Sequence, residues 1–136
     1  MDERLIKFDV KGNKSGHLVP LEPKKNIPFE IKRVFCIYGA DPAGKRGHHT
    51  QKTLKEVVVC VHGSCKIRLE DAKGEKTFEL NKPDLGLYIG PMVWREMFDF
   101  SPDCVLLALV DQSYYDEKDY IRDYQEYLQA LKQKIR

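Results

Sequence analysis

The sequence has little that would direct the protein to a membrane or to nucleic acid. No stretch approaches the ~20 consecutive apolar residues of a membrane-spanning helix, and residues 1–12, MDERLIKFDVKG, lack the apolar core of a signal peptide. Charged residues make up 32% of the 136-residue chain but nearly cancel to a net charge of +2, so no general electrostatic field favours polyanions. We expect a cytoplasmic protein with one domain, residues 1–136, whose binding depends on a local site.

Cysteine and histidine are also scarce, with four of each. The cysteines show no C-x-x-C spacing, which argues against a zinc ribbon or a dithiol redox motif. They lie mostly within apolar runs, so we expect reduced core residues at Cys36, Cys60, Cys65 and Cys104.

Short apolar runs closed by turn residues dominate the chain from residue 27 onward. IKRVFCIYG, LKEVVVCVHG and CVLLALVD are rich in the β-branched and aromatic residues that favour strands. CKIRLED and EKTFEL flank a glycine-containing turn, which predicts a β-hairpin. The regular spacing of these runs predicts an all-β sandwich or barrel.

The pattern changes over residues 114–136. Apolar and aromatic residues recur there at helical spacing: Tyr120, Ile121, Tyr124, Leu128, Leu131 and Ile135. This period predicts one amphipathic C-terminal helix that caps the barrel or forms a dimer contact. Tyrosines that stack on a base are the alternative.

Residues 1–25 contain a short apolar group ahead of a turn rich in proline and lysine. Leu18, Val19 and Leu21 could form an edge strand. An edge strand can pair with a second subunit as easily as with its own sheet, so we expect a dimer.

The stretch RGHHTQKTL, residues 46–54, is the main candidate for chemistry. Side chains alternate across a strand, which places His49 and Gln51 on one face and His48 on the other. Cupin barrels commonly bind a metal through an H-x-H pair, a glutamate and a later histidine. Gln51 occupies the second position of that pair, and the only later histidine, His62, lies beside a turn glycine, so we expect no metal site.

Cations surround this stretch. Arg46 and Lys52 flank the histidines, and Arg33 lies on a neighbouring run. An arginine in a strand that otherwise resembles core is costly unless it meets an anion, and a guanidinium group binds a diphosphate through paired hydrogen bonds. Salt bridges to Asp41 or Glu56 agree equally well with the spacing.

The order of the motifs resembles one family. NIPFEIKRVFCIYG, RGHHTQKTLKEVVVCVHGSCKIRLED and LGLYIGPMVWREMFDF, followed by YYDEKDYIRDY, are similar to the cupin-type dTDP-sugar 3,4-ketoisomerases. The resemblance implies a metal-free, cofactor-free jelly-roll barrel with one C-terminal helix. It also implies a homodimer that exchanges the N-terminal strands within residues 1–25.

The same resemblance implies a reaction and a product. A dTDP-linked 4-keto-6-deoxy sugar, dTDP-4-keto-6-deoxyglucose, would bind in each barrel and be converted to the 3-keto sugar. That product would feed the synthesis of 3-amino-3,6-dideoxy sugars for surface polysaccharides such as lipopolysaccharide, or for antibiotics.

Site residues follow from the match to the family's motifs. His49 corresponds to the catalytic acid/base, and Arg46 with Arg33 would clamp the diphosphate. The remaining residues expected to bind substrate are Lys52, Tyr88, Trp94, Arg95, Ser15 and His17. Tyr88 and Trp94 are equally good core residues by composition.

Two positions depart from the family pattern. Gln51 replaces the second histidine, and an amide can hold an oxygen but cannot shuttle a proton. Either His49, with a ring pKa ordinarily near ~6.5, performs both proton transfers between C3 and C4, or a hydroxyl, water or another residue completes the relay. Arg95 stands where some members carry histidine, and this difference leaves the C4 configuration of the product open. Of the two configurations, gluco is the one we favour.

Gln51 also leaves other functions open. A slow enzyme, or a cupin that binds a nucleotide sugar without catalysis, agrees with the loss of the second histidine. A metal-dependent cupin is a third alternative. The related dTDP-sugar epimerases are disfavoured, because the sequence around the histidines does not match theirs.

Overall fold

The computed structural model describes residues 4–135, and most of them lie in strands. Several of the longer strands coincide with short runs of apolar, β-branched or aromatic residues closed by Gly or Asp. Within the described residues the elements are β1 (Leu5–Lys7), β2 (Lys11–Asn13), β3 (Gly16–Leu18), β4 (Arg33–Tyr38), β5 (Arg46–Gln51), β6 (Glu56–His62), β7 (Cys65–Asp71), β8 (Gly74–Leu80), β9 (Leu85–Ile89), β10 (Trp94–Phe98), β11 (Val105–Val110), β12 (Tyr120–Ile121) and α1 (Tyr124–Ile135).

Two five-stranded antiparallel sheets form the barrel. Their strand orders are β1-β9-β6-β11-β4 and β12-β5-β10-β7-β8. Apart from β7 and β8, which are neighbours in the second sheet, strands β4 to β11 alternate between the sheets as in a jelly roll, and β1 and β12 each add an edge. The predicted all-β jelly-roll barrel is therefore confirmed, as is the hairpin of β7 and β8.

The main core lies between the two sheets. Val58 and Cys60 of β6, Ile67 and Leu69 of β7 and Leu106 of β11 meet there, all essentially inaccessible to solvent. The outer face of the first sheet is covered as well, by the segment that leads into β4. Because both faces of β6 are buried, its sequence is a continuous apolar run rather than an alternating one.

The C-terminal helix begins at Tyr124, later than the predicted position 114. Residues 117–119 form a single turn of 3-10 helix, and Tyr120 and Ile121 leave the helical path to pair with β5 as β12. The Asp123 carboxylate then accepts hydrogen bonds from the backbone N–H groups of residues 125 and 126, which caps the first turn of α1.

Helix α1 covers the outer face of the second sheet, as the capping interpretation predicted. Tyr127 is completely buried against Trp94 and Ile121. Its hydroxyl lies 2.9 Å from the backbone carbonyl oxygens of Glu70 and Met92. The helix is thus anchored to the strands that carry the site. None of the described helices is long and apolar enough to cross a membrane.

The N-terminal strands have two different environments. Strand β1 pairs with β9 of the same chain, whereas β2 and β3 form a hairpin whose residues are all exposed. Exchange between two subunits therefore remains a prediction. Cys36 corrects another expectation: it is exposed on β4, because its side chain points away from the core that buries the other three cysteines.

Candidate active site

A β-bulge in β5 builds the site. Arg95 of β10 pairs with His49, but the next residue of β10 pairs with Gly47, which leaves His48 as the extra residue. Gly47 has φ 88° and His48 has φ 53°. A Cβ atom at Gly47 would lie 2.9 Å from the Arg95 carbonyl oxygen, so this position requires glycine.

The bulge changes which side chains face inward. Regular alternation would place Arg46 opposite His49, but the extra residue brings both to the same cavity with Gln51. His48 points to solvent, as predicted. The residue that interrupts the pairing therefore assembles the cation and the imidazole in one place.

The cavity has a volume of about 250 Å³ and opens between the two sheets. Half of the residues predicted for the site line it: Arg33, Arg46, His49, Gln51 and Arg95. Its other walls are Phe35, Ile37, Gly47, Leu54, Glu56, Met97, Tyr120 and Arg122. Four guanidinium groups against one carboxylate make this a site for an anion.

His49 is held as a neutral ring. Its Nδ1 lies 3.0 Å from the Gly47 carbonyl oxygen, a contact in which Nδ1–H donates and Nε2 keeps its lone pair. Burial lowers the His49 pKa to about 4, helped by the positive charges of Arg95 and Arg122 and opposed by the hydrogen bonds to Gly47 and Gln51. At cellular pH the ring is therefore poised to accept a proton.

An ion pair lies in the floor of the cavity. Arg95 is 1% exposed and Glu56 is 5% exposed, and Nη1 of Arg95 donates to the Glu56 carboxylate. Burial raises the pKa of Glu56, while the Arg95 guanidinium favours the ionised carboxylate. Nε and Nη2 of Arg95, with Nε of Arg33, have no hydrogen-bond partner among the described residues. Buried donors of this kind require an acceptor from a ligand or water.

The segment before α1 supplies two residues that sequence reasoning missed. The Tyr120 ring lies 4.8 Å from the His49 ring, centroid to centroid, and the Arg122 guanidinium lies 4.4 Å from the centre of the Tyr120 ring. Arg122 is itself held by hydrogen bonds to Glu117 and to the Tyr115 hydroxyl. The helical spacing of the tyrosines hid Tyr120, because its pairing with β5 is not encoded in that period.

Five predicted residues lie away from the cavity in this chain. Trp94 is one position from Arg95 and so faces the other side of β10, where it packs beneath α1 and donates to Glu96 over 3.0 Å. Tyr88 packs on the outer face of the first sheet. Both residues pack against apolar neighbours and do not line the cavity. The expectation that they wall the pocket is therefore corrected.

Lys52, Ser15 and His17 are all exposed. Lys52 follows β5, where its backbone N–H donates to the Asp119 carbonyl oxygen over 2.9 Å. Ser15 and His17 lie on the hairpin of β2 and β3, remote from the cavity of their own chain.

The fold and the cavity define a class of protein: a cupin-type barrel whose cavity holds a neutral histidine among clustered arginines. A family model described as FdtA: WxcM-like, C-terminal matches residues 1–132. The chain belongs to this family, and it is an isomerase of the 3,4-ketoisomerase type.

Characterised relatives cover nearly the whole chain. The TDP-4-oxo-6-deoxy-α-D-glucose-3,4-oxoisomerase of Aneurinibacillus thermoaerophilus is 45% identical over 93% of this chain and 91% of its own. A mutant of the 3,4-ketoisomerase QdtA from Thermoanaerobacterium thermosaccharolyticum, in complex with TDP-4-keto-6-deoxyglucose, is 53% identical with a TM-score of 0.90, covering 95% and 93% of the two chains. The TDP-quinovose 3,4-ketoisomerase WlaRB of Campylobacter jejuni is 43% identical with a TM-score of 0.87, covering 92% and 95%.

Replacing Arg95 by methionine should destabilise the fold by about 3–5 kcal/mol, because Glu56 is then a buried charge without a partner. Urea unfolding followed by circular dichroism measures this loss. The double variant Arg95→Met with Glu56→Leu should recover most of it, since both charges are gone.

Arg122→Met is the matched control, because Arg122 is half exposed in its ion pair with Glu117. Its cost should stay below about 1 kcal/mol. Equal costs for Arg95→Met and Arg122→Met would show that the buried pair does not stabilise the barrel.

Proposed function

We propose that the chain converts dTDP-4-keto-6-deoxyglucose into the corresponding dTDP-3-keto-6-deoxyhexose. The observation that carries this proposal is His49, a neutral ring with a free Nε2 in a cavity lined by arginines. The 3-keto product is the substrate an aminotransferase needs to make a 3-amino-3,6-dideoxy sugar. We extend the substrate of the QdtA complex to this chain on the strength of the shared family and the site.

The arginines support binding of the diphosphate. Arg33 has a buried Nε without a partner among the described residues, and the exposed Arg46 lines the same cavity. Guanidinium groups meet phosphate oxygens through paired, charge-assisted hydrogen bonds. These two residues would hold the diphosphate and leave the sugar beside His49.

The first step is proton removal from C3. The neighbouring C4 carbonyl acidifies that hydrogen, and Nε2 of His49 accepts it, which leaves an enediolate over C3 and C4. The unpartnered donors of Arg95 and the amide of Gln51 lie on the same cavity and can hold the developing charge on the C4 oxygen. Gln51 thus has a use that needs no proton transfer.

The second step is delivery of a proton to C4, and we propose the gluco configuration for the product. In that product the new C4 hydrogen lies on the ring face opposite to the hydrogen lost from C3. The hydrogen bond to Gly47 fixes the His49 ring, which therefore serves one face of the sugar. Neither the Gln51 amide nor the Arg95 guanidinium is acidic enough to deliver a proton at neutral pH.

Tyr120 can supply the second proton. It lines the cavity beside His49, and burial raises the pKa of its hydroxyl, so the hydroxyl remains protonated. The protonated His49 first neutralises the C4 oxygen, which gives an enediol and restores the neutral ring. The Tyr120 proton is then delivered to C4 as the C3 carbonyl forms, and the C3 hydroxyl proton returns to Tyr120, so all groups are restored.

Deuterium exchange separates the two roles. His49→Asn should lose both exchange at C3 and conversion, by about 10²–10⁴-fold, because the base is absent. Tyr120→Phe should keep exchange at C3 while losing conversion. NMR of the substrate in D₂O measures both exchange and conversion. For the configuration, the reaction is run in H₂O with the aminotransferase as trap, and the proton coupling at C4 of the trapped product reports it.

His48→Asn is the matched control, since His48 is the solvent-facing neighbour and asparagine tolerates its positive φ. It should retain full activity. An active His49→Asn would overturn the assignment of the base, and tight dTDP binding without any exchange in the unaltered protein would favour a non-catalytic nucleotide-sugar-binding protein.

The pH dependence should report the low pKa of His49. Because the neutral ring is the active form, kcat/KM should rise with pH through about 4 and stay level from pH 5.5 to 7.5. Bound diphosphate offsets the nearby cations, so the acidic limb of kcat should lie at higher pH than that of kcat/KM.

Arg122→Met tests the electrostatic cause. Removing this cation should move the kcat/KM limb to higher pH, because Arg122 lowers the His49 pKa. Initial rates from pH 4 to 8 measure the limb in both proteins. A limb near ~6.5 in the unaltered protein, the value of an unperturbed histidine, would show that burial does not control the pKa of His49.

We further propose a homodimer that exchanges N-terminal strands. Strand β4 lies at the edge of the first sheet, where Val34 is 53% exposed and Tyr38 is 75% exposed. Among the described residues, the hairpin of β2 and β3 pairs with neither five-stranded sheet. A partner's N-terminal segment could cover that edge and bring Ser15 and His17 to the neighbouring cavity.

Light scattering after size exclusion should give twice the 15.8 kDa chain mass. Val34→Asp should shift the protein toward the monomer because it charges the covered edge. Tyr114→Asp, at an equally exposed position outside the strands, should leave the mass unchanged. A monomeric unaltered protein would contradict the exchange.

A further inference from the structure

Three cysteines converge at one end of the barrel. Their Sγ atoms all lie within 4.8 Å of one another, and the side chains of Cys60, Cys65 and Cys104 are at most 4% exposed. Cys60 lies four residues along β6 from Glu56, which is about 13 Å at the rise of a β-strand. The cluster is thus separate from the cavity that holds His49.

Each sulfur comes from a different part of the chain. Cys60 ends the buried part of β6, Cys65 begins β7, and Cys104 precedes β11. Apolar packing alone does not require three thiols from three segments to meet. Their convergence places three potential ligands around one point.

Two loops hold this arrangement in place. The backbone N–H of Ser64 donates to the Ser101 hydroxyl and the N–H of Ser101 donates to the Ser64 carbonyl oxygen, both over 2.9 Å. The Cys104 N–H donates to the Ser101 carbonyl oxygen over 3.1 Å. A Cβ atom at Gly63 would lie 2.3 Å from the Ser101 hydroxyl, so the two loops are in direct contact. The thiols are therefore preorganised.

The spacing suits a metal ion. Thiolates bind a d¹⁰ ion at about 2.3 Å, so three of them around one ion lie about 4 Å apart. The Cys60 and Cys104 sulfurs are 3.7 Å apart. The soft sulfur donors favour copper(I), zinc and their heavier analogues.

We propose that Cys60, Cys65 and Cys104 form a three-sulfur site for one thiophilic d¹⁰ metal ion. Bound there, the ion joins β6 and the start of β11 in one sheet to β7 in the other. Its role is structural: it braces the barrel at the end remote from the cavity. Ions that bind the folded protein alone raise its melting temperature as their concentration increases.

Cadmium is the probe. The full-length protein, reduced and freed of metal by a chelator, is titrated with Cd²⁺ under anaerobic conditions. Thiolate-to-cadmium absorption should saturate at one equivalent, and the melting temperature should rise by several degrees. X-ray absorption spectroscopy of the complex should count three sulfur ligands. Elemental analysis of protein purified without chelator then shows whether zinc or copper is bound.

Variants locate the site. Cys104→Ala and Cys60→Ala should lose saturable uptake and the thermal shift, whereas Cys36→Ser, which alters the exposed cysteine outside the cluster, should keep both. If the first two variants do not fold, the sulfur count of the unaltered protein decides. Absence of one-equivalent binding, a count other than three, or loss of binding in Cys36→Ser would overturn the proposal and leave three thiols that only pack.

Discussion

The buried ion pair of Arg95 and Glu56 is the constraint on which the site depends. Two opposite charges that are buried away from water stabilise each other only while both are present and hydrogen-bonded. The pair joins β10 of one sheet to the first residue of β6 in the other. It therefore fixes the separation of the sheets at the floor of the cavity. It also directs the unpartnered donors of Arg95 into that cavity.

Burial, together with the arginine of this pair, lowers the pKa of His49. Burial and the positive charge of Arg95 both disfavour the imidazolium, so the ring is neutral where an isolated histidine would be partly charged. The bulge at His48 fixes the ring's position, because Gly47 offers its carbonyl oxygen to Nδ1. Local backbone geometry and buried charge thus cooperate to present one nitrogen to the cavity.

Much of the fold follows from the sequence, because period-two runs and turn residues are local signals. They predicted the all-β barrel, the hairpin of β7 and β8 and the terminal helix. The shared face of His49 and Gln51 followed from alternation, but alternation also places Arg46 opposite them. Its inward position depends on a bulge that only the pairing of β5 with β10 produces.

Other features of the site depend on tertiary contacts. Tyr120 fits a helical period, and its contribution to the cavity, like that of Arg122, required β12 to pair with β5. Trp94 shows the converse case: applied to β10, alternation separates it from Arg95, so both could not have faced the substrate. The convergence of the three thiols likewise has no local signal, since Cys104 lies 39 positions beyond Cys65 in the chain.

Under the proposed mechanism, Gln51 changes how the barrel divides its proton transfers. With one imidazole in the cavity, removal and delivery of protons either share one face of the sugar or use two different groups. The cations around His49 lower its basicity, and a diphosphate bound as we propose would offset their charge and restore it. In the proposed mechanism, a neutral His49 beside a tyrosine kept protonated by burial has the protonation states needed to take a proton from C3 and deliver one to C4.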